Sequence, residues 1–96
     1  MSNNRYKQLG TKVGELVDAK NLAYGDSFNR SGDIIRSLYP KGISPEQVDD
    51  MLAIVRIVDK LFRVASHGNQ DPMGESPGFD IAGYGLLMAH RHKDQK

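Results

Sequence analysis

The stretch from Ser44 to Ser66 constrains this chain most. Ser44-Pro45-Glu46-Gln47 places a hydroxyl at an N-cap, proline at the first helical position and glutamine at the third, a capping-box pattern that starts a helix. About twenty residues then follow without glycine or proline until Gly68. At 100° per residue, Val48, Met51, Leu52, Ile54, Val55, Ile57, Val58, Leu61, Phe62 and Val64 cover far more than half of the wheel. The pattern predicts a long apolar central helix that needs neighbours on several sides. Three short helices or a partner subunit can provide them.

Three further helices are expected around it. Leu9, Val13, Leu16 and Val17 recur at i, i+4, i+7 and i+8, which predicts a first helix from Asn4 to Leu22, weakened by Gly10 and Gly14 and ended at Tyr24-Gly25. Asp26 is placed to cap a second helix reaching Leu38, before the Pro40-Lys41-Gly42 turn. Gly68 to Glu75 reads as a loop. Ser76-Pro77 repeats the cap-plus-proline signature and opens a fourth helix to His90, and residues 88–96 read as a fraying polar tail. The fold class expected is all-α, a compact bundle of about four helices over residues 1–96 as a single domain. At 96 residues its own core is modest, so an oligomer is expected.

Composition narrows the function classes. The formal net charge of +1 leaves no electrostatic footprint for double-stranded DNA or an anionic membrane. With no cysteine there is no disulfide framework and no thiolate metal site. The start Met-Ser-Asn-Asn lacks the apolar stretch of a signal peptide, and no apolar run approaches the ~20 residues that span a bilayer. The expected location is the cytoplasm. No Walker loop, dinucleotide fingerprint or nucleophile–base–orienter set is present. His67, His90 and His92 lack zinc-like spacing with a third ligand, and the Glu15/Asp18 and Glu46/Asp49 pairs read as solvent-facing.

The informative residues are charges that break the apolar pattern. Lys20 falls near the middle of the first helix's stripe, with Tyr24 following on the same side. Asp59 sits inside the apolar arc of the third helix. Asp80 shares a face of the fourth with Tyr84 and Leu87. An unpaired buried charge costs several kcal/mol, so such groups need partners. One reading is a buried pair of Lys20 with a carboxylate that fixes helix register. The other is a polar pocket between helices in which Asp59 and Asp80 hold a cation or a ligand's donor. Beside Asp59, Arg56, Lys60 and Arg63 form a polar edge. It reads either as a solvated face paired to Asp59 or as a clamp for phosphate oxygens.

Several strings resemble a known family. Lys20-Asn21-Leu22-Ala23-Tyr24-Gly25-Asp26-Ser27-Phe28 is similar to the opening of small phage and prophage proteins. Arg56-Ile57-Val58-Asp59-Lys60-Leu61-Phe62-Arg63 resembles their central helix, and Gly74-Glu75-Ser76-Pro77-Gly78-Phe79-Asp80-Ile81-Ala82-Gly83-Tyr84 their last block. These proteins resemble the nucleotide modification associated domain 1 family and, distantly, the MazG-like all-α NTP pyrophosphatases. The resemblance implies an oligomeric α-bundle that handles nucleotides in a phage-infected bacterial host cell. It covers under a third of the chain. The chain departs from the MazG-like pattern: it has no E-x-x-E, and Glu75 and Asp80 are five apart.

The expectation is a phage-type helical protein that binds a nucleotide, a nucleotide-derived signal or another phosphate-bearing small molecule and sequesters it without chemistry. Lys20, Arg56, Lys60 and Arg63 are assigned to phosphates, Tyr24 or Tyr84 to base stacking, and Asp59 and Asp80 to positioning or base-edge contacts. One alternative is a Mg²⁺-dependent pyrophosphohydrolase with the metal on Asp59, Asp80 and Glu75. Another is a structural or interaction protein whose adhesive is the third helix.

Overall fold

A computed structural model describes residues 3–68, 74 and 76–93. The described residues form four α-helices and no strand: α1 (Arg5–Ala23), α2 (Ser27–Leu38), α3 (Val48–His67) and α4 (Pro77–Arg91), with one 3₁₀ turn at Pro45–Gln47 leading into α3. The chain is all-α, as the periodicities predict. Most of the expected 68–75 loop lies outside the described residues.

Local chemistry explains the helix ends. The capping box forms, with Gln47 Oε1 accepting the Ser44 backbone N–H at 2.9 Å. Proline at the next position tightens this first turn into the 3₁₀ form. Gly68, at φ 63°, stops α3 in a conformation that only glycine adopts readily. Pro77 opens α4 after an extended Ser76.

The α1–α2 junction is the tightest corner. Gly25 and Asp26 both have positive φ, 66° and 58°. Asp26, one of the residue types that tolerate this region, accepts a side-chain hydrogen bond from Asn29 Nδ2 at 2.8 Å. A Cβ on Gly25 would meet Ser66 Oγ at 3.0 Å, so glycine is needed for both its dihedral and its closeness to α3. Arg30 locks the corner: its guanidinium donates to the Gly25 carbonyl at 3.1 Å and lies 5.0 Å from the centre of the Phe62 ring.

α3 is central. It packs chiefly on α4, then on α2, and only slightly on α1. Val58, facing inward at mid-helix, is 3% exposed and is the best-buried side chain of α3. The expectation of a long apolar helix is corrected, because α3 is strongly one-sided. Arg56, Asp59, Lys60 and Arg63 form one coherent charged strip, while Leu52 and Leu61 remain more than half exposed.

The expected compactness is corrected too. The radius of gyration is 17.2 Å, where a compact domain of this length has about 12.5 Å. The molecule measures 63 × 31 × 23 Å. The cause is α1, whose C-terminal end meets α3 at Ala23 and Tyr24 while the rest overhangs into solvent.

At the other end, residues 88–93 differ from the fraying tail expected. α4 continues to Arg91, and His92 Nε2 sits 2.7 Å from Asp50 Oδ1, with Arg91 Nη1 at 3.4 Å. α3 and α4 lie so that the acidic first turn of one meets the basic last turn of the other, the favourable sense for both helix dipoles.

Candidate functional site: a charged groove along the third helix

Asp59 organises the charged strip of α3. Its Oδ1 accepts a hydrogen bond from Ser27 Oγ at 2.9 Å, which ties the start of α2 to the middle of α3. Its Oδ2 lies 3.3 Å from Arg63 Nη2, one helical turn away, and 3.8 Å from Lys60 Nζ. Lys60 Nζ also lies 3.7 Å from Asp80 Oδ2 on α4. One lysine thus bridges the two carboxylates that stood out in the sequence.

The burial order reverses the expectation. No charged side chain among the described residues is fully buried. The carboxylates of Asp59 and Asp80 are 35% and 43% exposed, whereas Lys60 and Arg63 are only 14% and 11% exposed. Long cationic side chains can bury their methylenes while the charged head keeps a partner, as Arg63 does over the Tyr24 ring, whereas the short aspartates stay more exposed. The expected polar edge of solvated cations is corrected for these two residues. Arg56 does stay exposed. It pairs not with Asp59 but with the face of Tyr84, its Cζ 5.8 Å from the ring centre.

Two clefts share Asp59. The first, about 390 Å³, is lined by Val17, Lys20, Tyr24, Phe28, Asp59 and Arg63. The second, about 470 Å³, is lined by Phe28, Ser31, Arg56, Asp59, Lys60 and Tyr84. Lys20 therefore does come to Asp59's side of the molecule, but the buried Lys20–carboxylate pair is not formed. Lys20 is half-buried and makes no ion pair among the described residues. Only the end of α1 reaches α3, and Arg63 and Lys60 already occupy the Asp59 carboxylate. Asp80 lines neither of these clefts. It joins the network only through Lys60, and with Tyr84 it lines the outer face of α4.

Tyr24 cannot stack on a base. It is 4% exposed, and the Arg63 guanidinium lies over its ring at 4.2 Å. The free aromatic is Phe28, which is 91% exposed and lines both clefts. Sequence reasoning counted Phe28 as an apolar member of α2. The signal that could have singled it out was its place beside the Gly25-Asp26 corner, where the first residues of a helix have no neighbour on one side. Tyr84 remains half-buried and accessible from the second cleft.

For a cation, the donors in reach are the Asp59 and Asp80 carboxylates, both leaning on Lys60. Among the described residues no group of three His, Asp or Glu side chains is arranged to hold a metal. Glu75, the third expected Mg²⁺ ligand, lies outside the described residues.

A second charged cluster, missed from sequence because its members lie more than forty residues apart, sits at the start of α3. The His92 hydrogen bond holds the Asp50 carboxyl below its usual range; desolvation opposes it, and the charge of His92 and the hydrogen bond and charge of Arg91 add to the lowering.

No protein-family model matches the chain, and neither a curated protein nor a solved structure gives a significant match. None of the helices is long and apolar enough to cross a membrane among the described residues.

Proposed function

We propose that this chain binds a nucleotide, or a nucleotide-derived signal, in the groove beside Asp59, and that it holds the ligand without chemical change. The observation that carries this reading is the first cleft. It presents Lys20, a cation with no counter-ion among the described residues, beside Phe28, an aromatic ring almost wholly in solvent. An uncompensated cation suits a phosphate oxygen. An exposed ring suits a base, since stacking of this kind is worth about 1–3 kcal/mol per base. Arg63 and Ser27, fixed by Asp59, line the floor. Phe28 takes the stacking role in place of Tyr24, with Tyr84 and Arg56 serving the second cleft. The resemblance to small phage and prophage proteins supports the ligand class, and with it a bacterial cytoplasm as the setting and an oligomer as the working form.

Calorimetry and thermal shift against a nucleotide panel, with and without Mg²⁺, test the reading. A bound nucleotide raises the melting temperature, because it binds the folded state. Phe28→Ala is expected to weaken binding tenfold or more while leaving the unliganded melting temperature nearly unchanged. The nucleotide should be recovered intact after long incubation. No shift by any nucleotide at millimolar concentration would sink the reading. Mg²⁺-dependent release of pyrophosphate, abolished by Asp80→Asn, would replace it with the pyrophosphohydrolase alternative.

The interaction-protein reading draws on a separate observation. Among the described residues sixteen large apolar side chains are exposed, Leu86, Leu87 and Phe79 of α4 among them. That surface is compatible with ligand binding and bears on what else the molecule touches.

A further inference from the structure

The overhanging part of α1 shows one continuous apolar seam. Tyr6, Leu9, Val13 and Leu16 are spaced 3, 4 and 3 apart, the a/d spacing of a two-helix seam. All four are half or more exposed, and Val17 beside them is as well. Burial of this helix begins only at its C-terminal end, at Ala23 and Tyr24, where it meets α3.

The exposed area is too large for a molecule that works alone. The surface is 7588 Å², where a folded monomer of 10.7 kDa shows about 5,500 Å². The excess of about 2,000 Å² reaches the range that obligate subunit interfaces bury. The charges flanking the seam are divided along α1. Arg5, Lys7 and Lys12 lie in its first half; Glu15 and Asp18 lie in its second, followed by Lys20 in the last turn, where α1 reaches the cleft beside Asp59. Two such helices side by side in the same direction would set like charges together. Side by side in opposite directions, each basic half lies along an acidic half. The net charge of +1 offers little repulsion between whole molecules.

We infer that α1 pairs antiparallel with the α1 of a second copy of this chain, through Tyr6, Leu9, Val13 and Leu16. The two-fold arrangement sets Leu9 against Val13 and Tyr6 against Leu16, so that the same patch serves both subunits. The adhesive element of this inference is α1, where the sequence pattern pointed to the third helix. The inference does not depend on the ligand reading above.

Light scattering and sedimentation on the full chain at micromolar concentration test it. The expected mass is at least twice 10.7 kDa. Combined Leu9→Asp and Val13→Asp substitutions, both on an exposed face, should lower that mass by half or more. The helical circular dichroism of α2, α3 and α4 should persist. The chain has no cysteine, so oxidative cross-linking gives an independent readout on the folded protein. An equimolar mixture of Tyr6→Cys and Leu16→Cys chains should cross-link between the two variants, and neither variant should cross-link efficiently with itself. A monomeric wild-type chain, an unchanged mass in the Leu9/Val13 double variant, or efficient self-linking of Tyr6→Cys would each overturn the inference.

Discussion

Two aspartates on α3, one in its first turn and one about two and a half turns further on, meet different fates. Asp50, 34% exposed, is paired at the end of the molecule, where Arg91 and His92 arrive from the end of α4. Asp59, 35% exposed, gathers three partners, Ser27, Lys60 and Arg63, and stands at the meeting of two clefts. The first is a fastening between helix termini. The second is a fastening that also keeps two cations and a hydroxyl in fixed positions beside open space. Saturating a carboxylate therefore does not make it structural only. What separates the two is what the oriented partners face: Arg91 borders a smaller cleft between α3 and α4, whereas Ser27, Lys60 and Arg63 border the two larger clefts that meet at Phe28.

The largest effect that sharpens this contrast is expected from Asp59→Ala. It leaves the mostly buried Lys60 and Arg63 facing each other without the shared acceptor and frees the Ser27 hydroxyl. A loss of about 2–3 kcal/mol follows from breaking hydrogen bonds to a charged group, read as a lower midpoint in urea unfolding. Equal stability of wild type and variant would show that the network orients residues without holding the fold. Arg63→Lys should cost about 1 kcal/mol, because an ammonium keeps the ion pair with Asp59 but loses the flat contact with the Tyr24 ring. Ligand affinity should fall more than stability does if Arg63 serves the cleft.

Asp50→Asn is expected to have the smallest effect at neutral pH, a slight fall in melting temperature. Its clearer signature lies in acid. The folded-state carboxyl titrates below its unfolded value, so its contribution is complete above the ordinary carboxylate range and disappears as pH falls through the depressed value. Melting temperatures followed from pH 6 to pH 2 should therefore drop less steeply in Asp50→Asn than in wild type. Parallel curves would mean that the contacts with Arg91 and His92 form no stabilising pair in solution.

Much of the backbone was legible in the sequence. Ser44-Pro45-Glu46-Gln47 and Ser76-Pro77 placed two helix starts correctly, because caps are local chemistry that no distant contact overrides. The wheel also singled out Lys20, Asp59 and Asp80 by their breach of the apolar pattern, and the last two share Lys60 as a partner. It could not tell which members of the charged strip would be covered. Reach decides that: the long side chains of Lys60 and Arg63 end up 14% and 11% exposed beside Asp80 and Tyr24, and the short aspartates do not bury themselves so far. Nor could periodicity show that Arg63 would take the face of Tyr24 and leave Phe28 as the exposed ring. The fastening of His92 to Asp50 joins residues 42 apart and leaves no periodic trace. The compactness expected from length alone failed for a related reason. The stripe on α1 is real, but a stripe does not say whose surface will cover it.

The corner at Gly25-Asp26 has a mechanical consequence. Two successive residues at positive φ set the aim of everything upstream of them. A nineteen-residue helix is about 28 Å long, so a change of ten degrees at that corner would swing its far tip by about 5 Å. The junction works as the pivot of a lever. The side chain of Arg30, set between the Gly25 carbonyl and the Phe62 ring, ties that pivot to α3.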